Sequence, residues 1–206
     1  MTTTAFSVEV TDHGLDYNLP QRIGRALWLP MLLMALMAFA LGVILGIARA
    51  NEITSGGSES TIAALGHFVP AATFLGFASV LAAISFAIAS ILGELRVGGG
   101  KVQEAARRKV HTLRMPRTAL AFILLMAIAM MVLVTAVVLH VVVGASILAE
   151  NASALANAGS YGIWLEAVRR IGVAVYLFAI ALGLGSIIYV LRFQAVRLRE
   201  LPEEAA

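Results

Sequence analysis

The chain has 206 residues, 60% of them hydrophobic and only 13% charged, with a formal charge of +3 at neutral pH. Soluble domains carry about 25% charged residues, so a mean hydropathy of +0.91 argues for a protein solvated by lipid and against a water-exposed globular fold. The absence of cysteine excludes disulfides, thiolate nucleophiles, iron–sulfur ligation and c-type haem attachment, and the basic residues lack the aromatic platform of a nucleic-acid binder.

Residues 1–23 form a polar arm in which Asp12, Gly14, Asp16, Asn18 and Pro20 interrupt any period. Leu19 and Ile23 allow its end to lie against a membrane. The first long apolar run, from Ala26 to Ala48, carries no charge and begins near Trp28. It exceeds the roughly 20 residues that cross about 30 Å of hydrocarbon. A signal peptide cleaved near Ala48-Arg49-Ala50 is the competing reading. The run is too long for the apolar region of such a peptide, and a polar arm precedes it.

A polar loop with Gly56-Gly57 leads to the second run, Thr61 to Leu95, which contains Pro70. Either this helix starts at Pro70, with proline in its first turn, or it starts at Thr61 and kinks. Arg96 to Arg117 is the most charged segment. Gly98-Gly99-Gly100 reads there as a flexible hinge, and Lys101 to Leu113 as a short helix on the membrane surface. Pro116 opens the third helix, Arg117 to Ser146. After a polar stretch through Glu150, Asn151 and Asn157, Tyr161 and Trp164 precede a fourth run from Ile171 to Leu191, whose helix continues to Arg199 and ends before Pro202.

The expected fold is therefore all-α: a four-helix transmembrane bundle, 24–199, with spans near 26–48, 66–94, 118–146 and 169–192, a basic cytoplasmic loop 96–117 and a tail 200–206. With the amino terminus inside, Arg22, Arg25, Arg96, Lys101, Arg107, Arg108, Lys109, Arg114, Arg117, Arg192, Arg197 and Arg199 lie on the cytoplasmic side. Only Arg49, Arg169 and Arg170 fall outside. This bias predicts N-in/C-in insertion in a bacterial inner membrane.

The apolar runs hold no Asp, Lys or Arg, and Glu94 sits at the inner end of the second. Ion-coupled carriers place titratable groups at mid-membrane, so their absence weighs against such a role. Two intramembrane histidines remain, His67 and His140. The alternating directions of the second and third helices bring both to one depth near the outer face. Two imidazoles so placed are candidate ligands for haem b, another metal or a quinone. The competing reading is two interfacial histidines bonded to nearby carbonyls. A mononuclear metal site lacks a third ligand in the spans.

Met31, Met34, Met37, Met126, Met130 and Met131 read as apolar gap-fillers rather than a copper(I) site. The second and fourth helices are rich in small residues, with Ala179-xxx-Gly183 and Ala181-xxx-Gly185 as pairs that allow close helix approach. Gly183 is accordingly a candidate contact with partner chains. Arg107, Arg108, Lys109 and Arg114 are candidate contacts with lipid headgroups or an acidic partner. No nucleophile–base set, carboxylate pair or phosphate-cradling loop appears. The expected role is a non-catalytic membrane subunit that anchors, stabilises or helps assemble a larger complex, bioenergetic in kind, with the bilayer and other integral subunits as partners and without nucleic acid. Two alternatives stand beside it: a haem-b or quinone-linked electron-transfer subunit using His67 and His140, and a homo-oligomeric channel or small-solute carrier.

Overall fold

A computed structural model describes residues 8–10, 15–106 and 110–203. Among them the elements are β1 (Val8–Val10), α1 (Leu19–Ser55), α2 (Glu59–Ala105), β2 (His111–Leu113), α3 (Arg117–Leu148), α4 (Ala152–Ala156) and α5 (Ala158–Glu203). Four of these helices, α1, α2, α3 and α5, are long and apolar enough to cross a membrane.

Local chemistry explains the boundaries. Pro20 stands in the first turn of α1, where its missing N–H costs no hydrogen bond. Gly56, at φ +70, follows the last turn of α1, where glycine takes the left-handed conformation without strain. Ser58 accepts from the Thr61 amide at 3.1 Å and so caps α2. This places the start of α2 well before Pro70, which lies inside the helix. Asn151 caps α4 by accepting from the amides of Ser153 and Ala154.

By contact density the chain divides into two units. The first comprises Met1–Trp28, Ile84–Leu124 and Ala179–Ala206. In it β1 pairs antiparallel with β2, with Val8 opposite Leu113, Glu9 opposite Thr112 and Val10 opposite His111. Part of the polar arm is therefore a strand, and 111–113 is its partner instead of a surface helix. The arm is held further by side chains. Tyr17 donates to Glu94 at 3.0 Å, and Arg25 pairs with Glu94 at 3.5 Å while lying 4.3 Å from the Tyr17 ring. Arg96 donates to the carbonyl of Asp16 and to Asn18 Oδ1 at 3.1 Å.

The expected hinge at Gly98-Gly99-Gly100 is instead continuous helix within α2. Three glycines weaken a helix by roughly 1 kcal/mol each relative to alanine, but at two of them a neighbouring side chain fills the space a Cβ would take. A Cβ on Gly100 would meet the Leu15 side chain at 2.5 Å, and one on Gly99 would run into Gln194. Gln194 in turn donates to the Leu95 carbonyl at 2.8 Å. Other parts of the chain thus pack against Gly99 and Gly100, while a Cβ on Gly98 would meet nothing within 4 Å. Ile88, Phe122, Ala179, Val190 and Phe193 are buried in this unit, and Thr118 and Ser186 share a 2.9 Å hydrogen bond between α3 and α5.

The second unit comprises Leu29–Ala83 and Leu125–Phe178. Its helices approach at small residues, as expected where lipid offers no hydrophobic drive for association. A Cβ at Gly76 of α2 would lie 2.7 Å from the Phe39 ring of α1. One at Gly144 of α3 would lie 2.8 Å from Phe68 of α2, and one at Gly172 of α5 would lie 2.9 Å from Leu133 of α3. Ala78, Ser79, Ala82 and Ala83 of α2 are buried, so this helix spends its small face within the chain. Ala64, Ile147 and Ala154 form a buried apolar cluster, with Phe68, Val143 and Ala158 packed on it.

Candidate functional site

Both histidines singled out by the sequence belong to the second unit, and the fold brings them into contact. His67 is 3% exposed and His140 is 1% exposed. Their Nδ1 atoms lie 3.1 Å apart, with ring centroids separated by 5.3 Å. The second nitrogen of His67 lies 3.2 Å from the Ala158 carbonyl at the start of α5. Three helices are thereby joined through one polar chain. Gly144, one turn beyond His140 on α3, admits the Phe68 ring, which follows His67 on α2. The close α2–α3 approach that sets the histidine contact is built by this glycine.

Hydrogen-bond logic assigns the protons. A carbonyl only accepts, so His67 Nε2 carries a proton and donates to Ala158. In the neutral ring Nδ1 of His67 is then an acceptor, and His140 Nδ1 must carry the proton between the rings. That leaves His140 Nε2 as a bare lone pair, and it has no hydrogen-bond partner.

A third buried polar group completes the cluster. Arg169 of α5 is 3% exposed, and its guanidinium carbon lies 3.7 Å above the Phe74 ring of α2. Phe74 stands two turns after His67. A cation over an aromatic face contributes about 2 kcal/mol when desolvated. Arg169 pairs with Glu166 on the preceding turn, and the exposed Arg170 pairs with the same carboxylate at 3.0 Å. Two guanidinium groups share one carboxylate, which leaves one positive charge in excess. Nε and one terminal nitrogen of Arg169 are buried without partners. The unit therefore holds an unfilled acceptor on His140 and unfilled donors on Arg169, and such orphans in a native fold call for a water or a ligand.

The sequence marks the two histidines but misses Arg169, Glu166 and Phe74. It places Arg169 on the outer side with Arg170, at the start of the fourth span, without separating the two, whereas the structure buries one of that pair and exposes the other. The available signal is the spacing: Glu166 stands three and four residues before the two arginines, so one carboxylate reaches both along a helix.

The 3.1 Å separation of the Nδ1 atoms is that of a hydrogen bond. Among the described residues no group of three or more His, Asp or Glu side chains is arranged to hold a metal ion.

The other candidate residues lie elsewhere. Arg107, Arg108 and Lys109 fall outside the described residues. Arg114 is exposed and lines a cavity of the first unit. Gly183 is buried, and a Cβ there would lie 3.0 Å from Phe122 and 3.1 Å from Ile88. In this position it serves packing within the chain. Comparison of the chain with protein-family models, with curated proteins and with solved structures gives no match.

Proposed function

We propose that the chain is a non-catalytic subunit of a larger membrane complex, inserted N-in/C-in, which it anchors or helps assemble through the lipid-facing side of α5. The observation that supports this reading is the pair Ala181 and Gly185. Both are exposed, one turn apart, and a Cβ on Gly185 would meet no atom within 4 Å. They are flanked by exposed Phe178, Leu184 and Ile188. An outward notch of small residues between large apolar ones admits the backbone of another transmembrane helix. The two histidines and the Ala158 carbonyl, by contrast, bond to one another and join α2, α3 and α5 within the chain.

Extraction in mild detergent tests the reading. The chain is expected to migrate with one or more integral partners, and Gly185→Leu is expected to release it while leaving its own thermal unfolding unchanged. Migration of the wild-type chain as a lone monomer, with no partner and no second copy, removes this function.

One observation favours a second reading. The unpaired His140 Nε2 and the unpaired Arg169 donors suit a small hydrogen-bonding ligand such as a quinone, as in an electron-transfer subunit. A bound quinone is expected in the organic extract of the purified chain and is expected to be lost in His140→Leu. For the haem version, a Soret band that shifts with dithionite is required. Its absence ends that version.

A further inference from the structure

We infer that the cavity of the first unit is a binding site for one anionic phospholipid, with the phosphate at Arg96 and Arg114 and part of an acyl chain in the apolar floor. The cavity has a volume of about 450 Å³, within the range of roughly 300–1,000 Å³ typical of small-molecule sites. Its wall is divided by chemistry. Ala119, Phe122 and Val190 form an apolar floor, while Arg96, Arg114 and Gln21 stand among the polar groups that line it. A uniform apolar crevice would suit any lipid tail, and a uniformly polar one would suit a soluble anion. The combination suits an amphiphile whose headgroup is negative.

The charge balance selects the sign. Glu94 is occupied by Arg25 and Tyr17. The acceptors that hold Arg96 are the Asp16 carbonyl, Asn18 Oδ1 and Gln21 Oε1, all of them neutral. These contacts aim the guanidinium without cancelling its charge, and its Nε is buried with no partner. Arginine beside a second cation at a membrane-level pocket is the arrangement that recognises lipid phosphate. The β1–β2 ladder supports the site from the chain, because Thr112, Leu113 and Arg114 all line the cavity. The inference is independent of whether protein partners exist.

The test uses the full chain in a neutral detergent. Phosphatidylglycerol, phosphatidylcholine and inorganic phosphate are added separately, and bound lipid is counted by native mass spectrometry alongside thermal unfolding. One phosphatidylglycerol is expected to remain bound and to raise the unfolding temperature, with phosphatidylcholine at least tenfold weaker and inorganic phosphate without effect. Arg96→Gln and, separately, Arg114→Gln are each expected to weaken the lipid about tenfold, as loss of a charge-assisted hydrogen bond implies. Ala119→Leu, which fills the floor and leaves both arginines in place, is expected to weaken it as well. If Arg96→Gln does not fold, Arg114→Gln and Ala119→Leu decide the matter. Equal binding of phosphatidylcholine, or displacement of phosphatidylglycerol by inorganic phosphate, overturns the proposal, as does unaltered binding in the variants that fold.

Discussion

His67→Leu is expected to destabilise the chain by about 1–3 kcal/mol, and His140→Leu by less. The asymmetry follows from the proton assignment. Without His67, the buried His140 keeps two nitrogens and loses its contact at Nδ1, while its Nε2 already lacks a partner. Without His140, His67 still donates to the Ala158 carbonyl and only its Nδ1 is orphaned. The double replacement is expected to cost less than the sum of the two singles by about 1 kcal/mol or more, because it removes both partners of one buried hydrogen bond. The Ala158 carbonyl keeps its own helical partner in α5. Unfolding titrations in mixed detergent measure all three changes. Additive costs, or a larger loss in His140→Leu, contradict the assigned tautomers. A ligand bound at His140 Nε2 reverses the order of the singles in its presence, so the titration is run on extracted, ligand-free chain as well.

Gly24→Ala is the second large expected effect. Alanine in place of glycine inside a helix ordinarily gains about 0.5–1 kcal/mol. At Gly24 a Cβ would stand 2.6 Å from the Phe86 carbonyl oxygen and 3.1 Å from the Ser90 amide nitrogen. Those atoms belong to the α2 backbone, which cannot rotate aside as a side chain does, so α1 and α2 must separate in the first unit. Overpacking of that kind costs roughly 1–3 kcal/mol and outweighs the propensity gain. Gly46→Ala provides the control, since a Cβ there meets nothing within 4 Å. It is expected to raise stability by about 0.5–1 kcal/mol. Thermal unfolding of the two variants side by side checks the opposite signs. A stabilised Gly24→Ala would mean that the two helices do not approach as closely as described.

Much of this protein is legible in its amino-acid sequence. The four apolar runs, their lengths and their polar connections follow from hydropathy alone, because the cost of leaving backbone and charge in hydrocarbon depends on the segment itself and not on its neighbours. His67 and His140 stand out for the same reason, as titratable groups inside such segments.

Interior and exterior faces are not legible there. In water an amphipathic stripe separates core from surface, but lipid is as apolar as a protein core, so a spanning helix carries no comparable stripe. Gly183 and Gly185 look equivalent in sequence, yet Gly183 is packed by Phe122 and Gly185 faces open space. Arg169 and Arg170 are likewise adjacent and chemically identical, and the turn of α5 alone buries the first over Phe74 and exposes the second. The glycines at 98–100 resemble a hinge because flexibility is a local property of glycine, whereas the side chains of Leu15 and Gln194 that pack on Gly100 and Gly99 come from distant parts of the chain. Composition by itself determined that this chain carries four segments able to cross a bilayer. Only the tertiary structure decided which polar groups meet, because a buried hydrogen bond or ion pair is a property of two helices in register and is written in neither one.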